Sequence, residues 1–123
     1  MERERPARAV YVVPNFHPAC MGWLVPYDEE RQYCLNTYLA HLDRVRDDPA
    51  YKFVLSEIPH LITMLELEPE RFAEFTRRLA EGRVEVVNAF VLEPTINLSG
   101  GEALVQQGVQ GLSWYARVMG VKP

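Results

Sequence analysis

The sequence predicts an α/β fold in which parallel β-strands alternate with helices. Short, largely apolar runs stand at Ala9–Val13, Lys52–Leu55 and Val84–Val87, the last two carrying one charged residue each, Lys52 and Glu85. Amphipathic stretches with helical spacing separate them, giving the order β-α-β-α-α-β-α. A run that is apolar on successive residues, as at Val10–Val13 and Phe53–Leu55, marks a strand covered on both faces, which is the habit of parallel sheets flanked by helices.

Met1 to Arg8 form a charged tail, and residues 9–123 form the folded portion. Ala9-Val10-Tyr11-Val12-Val13 is β-branched and bounded by Pro14-Asn15, so it reads as a buried strand. A loop follows from Asn15 to Tyr27. Asp28 is placed to cap the next helix, with Glu29 and Glu30 in its first turn. Leu35, Tyr38, Leu39, Leu42 and Val45 then recur at helical spacing, until Asp47-Asp48-Pro49 stops them.

The second strand, Lys52–Leu55, ends at Ser56-Glu57. Pro59 suits a first helical turn, where its missing N–H is no loss. Pro69 starts another helix, with Phe72, Phe75 and Leu79 on one face and Gly82 at its end. The third strand runs from Val84 to Val87 and is expected to extend through Phe90. A loop, Glu93 to Leu98, leads to Ser99-Gly100-Gly101-Glu102, which spells a capping box. Val105, Val109, Leu112, Ala116 and Met119 line one face of the last helix, closed by Gly120 and Pro123.

Composition narrows the function. With 48% hydrophobic residues, the chain has ample material for a core and is not disordered. No apolar run approaches the roughly 20 residues of a membrane span, and the charged start, followed by only five apolar residues, leads us to expect no secretory signal. A net charge of −4 with no basic face argues against nucleic acid. Two cysteines, Cys20 and Cys34, make no disulfide framework, so the expected setting is reducing and cytoplasmic.

At 123 residues the chain is one domain or part of one. Three parallel strands leave both sheet edges open, a pairing hazard. The simplest reading is the first part of a larger α/β domain, such as a barrel, with the remainder C-terminal to Pro123. A complete three-strand sandwich is the alternative.

In such folds ligands bind beyond the C-terminal ends of the strands. That selects Asn15, His17, Cys20 and Trp23 after the first strand and Glu57 after the second. After the third come Asn88, Glu93, Thr95 and Asn97. His17 suits a metal ligand, a general base, or a polar group satisfied by backbone. Cys20 makes a His-x-x-Cys pair with it or fills space. Trp23 with Tyr27 offers stacking surface for a sugar ring, or simple packing. Glu57 and Glu93 are the carboxylates from which a glycosidase pair would be drawn; the structural alternative is that one caps a helix and the other is solvated. His41 and His60 lie in helices with no partner signal.

Three stretches resemble the N-terminal catalytic domain of family 38 glycoside hydrolases, the zinc-dependent α-mannosidases. They are Val12-Val13-Pro14-Asn15-Phe16-His17-Pro18-Ala19-Cys20-Met21-Gly22-Trp23, Phe53-Val54-Leu55-Ser56-Glu57-Ile58, and Glu93-Pro94-Thr95-Ile96-Asn97-Leu98-Ser99-Gly100-Gly101-Glu102. The resemblance runs from about Ala9 to Pro123, where Gly120 to Pro123 matches the family's helix end. It implies the opening third or so of a seven-stranded (β/α) barrel and a retaining mechanism on α-mannosides or related glycans. It implies zinc, with His17 at the first ligand position. The second ligand position is held by Ala19 and the nucleophile position by Thr95. Alanine binds no metal, and a threonine hydroxyl attacks only when a base activates it. Cys20 is then the candidate replacement ligand, Glu93 or Glu57 the candidate catalytic carboxylate, and Trp23 and Asn97 the sugar contacts. The alternative is a non-catalytic carbohydrate-binding homologue or an inactive fragment. The 123-residue segment by itself is expected to be inactive, because it supplies at best half a site.

Overall fold

The computed structural model describes residues 8–16 and 25–123. Helix α1 (Tyr27–Asp47) is followed by strand β1 (Phe53–Leu55), helices α2 (Ile58–Leu67) and α3 (Pro69–Ala80), and strand β2 (Val84–Val86). Helix α4 (Gly101–Trp114) then passes directly into a π-helical turn, Tyr115–Met119.

β1 and β2 pair in parallel, with Phe53 opposite Val84 and Leu55 opposite Val86. On the other side of β1, Asn15 forms a parallel bridge to Val54, whose N–H donates to the Pro14 carbonyl at 3.1 Å. β1 is therefore the middle of the sheet, with the expected first strand on its far side. That strand is reduced to this bridge. Ala9–Val13 adopts no strand conformation, and Val10 and Tyr11 are 90% and 88% exposed. The correction has a simple cause. A β-branched run gains from strand geometry only where neighbours cover its faces, and the described residues supply none there.

β2 is also shorter than the apolar run suggests. Val87 still donates its N–H to the Leu55 carbonyl at 3.1 Å. The Asn88 side-chain oxygen then accepts the Phe90 N–H at 2.9 Å. This local Asx bond turns the chain and ends the ladder, so the extension through Phe90 does not form.

The core is built from one face of each element. Leu35, Tyr38, Leu42 and Val45 of α1 meet Phe53 and Leu55 of β1. Leu61 and Met64 of α2, Phe75 of α3, and Tyr115 and Met119 of the final turn close the cluster. The Phe53 and Phe75 rings meet edge to face, with centroids 6.4 Å apart.

Helix ends follow local chemistry, with two exceptions. Pro59 and Pro69 occupy first turns as expected. Gly82 and Gly120 take left-handed backbone, φ 68° and 70°, at the ends of α3 and the last turn. Asp28, however, lies inside α1, which is preceded by Pro26 and has no side-chain cap. Its charge still favours the helix start electrostatically, with Arg44 and Arg46 complementing the other end. The capping box does not form either. Gly100 is the residue before α4, so Ser99 is one position out of register. Glu102 instead accepts a hydrogen bond from Gln106 at 2.8 Å.

α4 differs most from its sequence reading. Met119 is buried, but Val105, Val109 and Leu112 are 58%, 56% and 44% exposed. The face that packs carries Gly111 and, in the following turn, Tyr115. A Cβ on Gly111 would lie 1.8 Å from the Ala89 carbonyl oxygen. Close backbone approach selects the glycine side of the helix and turns the valine stripe outward.

Two polar anchors tie the layers. Arg83, just before β2, donates to the carbonyls of Val45 (3.1 Å), Asp48 (2.6 Å) and Tyr51 (2.8 Å). Arg71 of α3 reaches the Leu39 carbonyl and the Asp43 carboxylate of α1.

His41 supplies a pH-dependent element. Its Nδ1 lies 2.6 Å from the Tyr51 hydroxyl, and its ring stacks on Phe53 at 4.9 Å. Burial first, and the Arg44 charge second, hold its pKa below the usual 6.5. The folded state thus binds its proton less readily than the unfolded chain. Its contribution is full above about pH 6.5 and is lost as pH falls through the lowered folded value. Denaturation midpoints are expected to drop on acidification below pH 6.5, and His41→Gln should flatten that slope. An unchanged slope in the variant would rule His41 out as its source.

Candidate functional site

The parallel sheet brings the segments that follow β1 and β2 to one end. Pro14-Asn15 lies against β1. The Ile58 N–H, at the start of α2, donates to the Val91 carbonyl at 3.2 Å and so joins the segments that follow β1 and β2. Leu92, Pro59, His60, Glu30 and Tyr27 then border one narrow cleft at this end.

Beneath the rim is a buried polar cluster. Glu57 is 2% exposed and His60 4%. The His60 Nε2 and Glu57 carboxylate are 3.1 Å apart, across the start of α2. Glu57 occupies the position before α2, yet its side chain does not cap the helix. His60 thus has the partner that its helical position did not advertise. The signal was the i, i+3 spacing across a helix start, where the two side chains fall on one face.

Glu30, Cys34 and Tyr38 of α1 are also buried here. Burial, and then the charges of Glu30 and Glu57, push the Cys34 thiol up to about 12. Burial thus disfavours the reactive thiolate at Cys34, which fills space in the α1 face. Tyr115 is fully buried, and burial followed by the Glu57 charge raises its phenol above the usual value. Arg31 bounds the cluster, donating to the Thr63 hydroxyl at 3.0 Å and pairing with Glu66.

The segment after β2 is more open. Glu93, Thr95 and Asn97 are exposed. The Thr95 carbonyl accepts the N–H groups of Leu98 (2.9 Å) and Ser99 (3.1 Å), which makes this stretch a tight turn. Glu57 and Glu93 thus stand in different environments, one within the protein and one at its surface. His17, Cys20 and Trp23, with Ala19, lie outside the described residues. Among the described residues no three His, Cys, Asp or Glu side chains group as metal ligands. A groove of about 580 Å³ lies at the opposite, N-terminal ends of the strands, against Val10–Val13, Lys52 and Arg83. It holds none of the candidate site residues. No helix among the described residues is long and apolar enough to cross a membrane.

Parallel strands with helical crossovers, and polar side chains beyond their C-terminal ends, define an α/β unit. The chain belongs to glycosyl hydrolase family 38: residues 7–123 match the description "Glycosyl hydrolases family 38 N-terminal domain". Among curated relatives, it is 28% identical to "Alpha-mannosidase 2" of Rattus norvegicus over 127 residues, which is 99% of this chain and 11% of that protein. It is 24% identical to "Alpha-mannosidase 2C1" of Homo sapiens over 99 residues, 80% of this chain and 10% of that one. The chain therefore spans about a tenth of the length of the curated relatives it matches. Its fold is shared with a family 38 protein from Enterococcus faecalis, with TM-score 0.76 and 21% identity over 92% of this chain and 13% of that one. A second structure, "an alpha-mannosidase from Enterococcus faecalis V583", gives TM-score 0.77 at 20% identity over 90% of this chain and 12% of that one.

Proposed function

We propose that this chain forms the opening βα units of an α-mannosidase-type barrel and contributes part of a site for α-mannosides or related glycans. The observation that carries this is the family match over residues 7–123. In this reading residues 9–123 are the barrel portion, and the setting is cytoplasmic. Further βα units of a seven-stranded barrel pack where the apolar surface is now open, against Val10–Val13 and the Val105, Val109 and Leu112 stripe.

The rim residues take distinct parts. Trp23 and Asn97 contact sugar. His17, with Cys20, would contribute ligands to zinc, which supplies Lewis-acid contact to sugar oxygens when bound. Glu57 acts as a buried support, because a carboxylate 2% exposed and engaged with His60 cannot meet an anomeric carbon. Glu93 is the exposed carboxylate of the set.

We favour glycan binding without turnover for the 123-residue chain. Ala19 and Thr95 stand where the family pattern carries carboxylates. Calorimetric titration with methyl α-mannoside should show weak binding, since only part of a rim is present. An aryl α-mannoside should not be hydrolysed, with or without added zinc. No detectable binding would sink the glycan reading, and zinc-dependent hydrolysis would overturn the non-catalytic assignment.

A further inference from the structure

The stretch between β2 and the rim is held by α4 rather than by the sheet. The β-ladder ends where Val87 donates to Leu55. Beyond it, each backbone polar group needs another partner or water. The Ala89 carbonyl lies against Gly111, and the Phe90 ring lies 3.5 Å from where a Cβ of Gly108 would stand. The Gln107 side-chain oxygen accepts the Leu92 N–H at 3.2 Å. From the other side, Val91 accepts the Ile58 N–H. Gln107 and Gly111 thus hold residues 89–92 together, with Gly108 leaving room for the Phe90 ring. Glu93 follows immediately, and then the Thr95 turn and Asn97.

We propose that Gln107 is a positioning residue, whose hydrogen bond to Leu92 sets the height and direction of the Glu93–Asn97 loop and hence the affinity of the rim for a sugar. The affinity part rests on the glycan reading above. The hold on the loop does not. Gln107 lies 14 residues beyond Glu93, on an element that carries no candidate sugar contact. Its effect on ligand therefore passes entirely through the loop backbone.

The test is amide hydrogen exchange on the full chain, read beside methyl α-mannoside titration. In Gln107→Leu the acceptor is lost. Exchange at Leu92 should rise about tenfold, as expected for one net hydrogen bond, and the rise should extend into Glu93–Asn97. Val54 and Leu55 should keep their native rates. Mannoside affinity should fall about tenfold in parallel. Gln107→Glu retains an acceptor oxygen and should restore both. Unchanged exchange at Leu92 in Gln107→Leu would overturn the proposal. So would a loss of protection throughout the sheet, which would make Gln107 a support of the whole fold. Faster exchange with unchanged mannoside affinity would also overturn it. If the unsubstituted chain binds no mannoside, the glycan reading fails, and the exchange pattern alone decides whether Gln107 positions the loop.

Discussion

Gly111→Ala will destabilise the fold by about 2 kcal/mol, although it replaces a helical glycine with the best helix former. The helix gains about 1 kcal/mol in propensity. Against this, the new Cβ would stand 1.8 Å from the Ala89 carbonyl oxygen and 2.8 Å from its carbon. The obstacle is backbone, which cannot rotate aside, so overpacking should cost about 3 kcal/mol. α4 must then move outward, loosening Tyr115 and Met119 in the core. Gly108→Ala is the matched control. Its Cβ would meet only the Phe90 ring, at 3.5 Å, an ordinary contact, so it should stabilise by about 1 kcal/mol. Urea denaturation of the two variants should show opposite signs. A Gly111→Ala protein as stable as the parent would show that α4 does not approach Ala89 so closely.

Arg83→Ala should be comparably costly, at about 3 kcal/mol. One guanidinium satisfies the carbonyls of Val45, Asp48 and Tyr51. These lie at the end of α1 and in the turn that feeds β1. Hydrogen bonds from a charged donor contribute about 1.5–3 kcal/mol each, and the total is discounted because the site is partly open to water. Arg83→Lys should recover only part of the loss, since an ammonium cannot reproduce the planar fork. Thermal denaturation with the ranking Arg > Lys > Ala is the expected result. Equal stability of the lysine and alanine variants would mean that charge contributes nothing at this site.

The helices were the most legible part of the sequence. Pro59, Pro69, Gly82 and Gly120 act through their own backbone, so they mean the same in isolation as in the fold. The strands were less legible, because strand formation depends on neighbours. Ala9–Val13 spells a buried strand and lies exposed. The apolar run after Val84 was cut short by the side chain of Asn88. The capping box failed by one residue of register, a shift that composition does not record. At the site, topology correctly brought the post-β1 and post-β2 segments together through Ile58 and Val91. The depth of each residue was not legible. Nothing in the letters says that Glu57 turns inward while Glu93 stays outside. Gly111 could not be singled out either, since its role exists only where α4 meets Ala89. His17, Cys20 and Trp23 lie outside the described residues, and their place in the site belongs to the proposal.

The middle position of β1 also orders the folding of the chain. Its partners are Pro14 on one side and Val84 on the other. The first pairing encloses all of α1, and the second encloses α2 and α3. Neither ladder can begin until a long loop has closed, and loop closure is an entropic cost met only by contacts made elsewhere. α2 and α3 share Glu68 as the end of one and the beginning of the other, so their packing closes almost no loop. The helical pair is therefore the expected nucleus, with α1 docking next and β1 receiving its two neighbours last. On that order the sheet that carries the rim assembles on helices already in place, and substitutions in the α2–α3 contact should slow folding more than substitutions in β1 or β2.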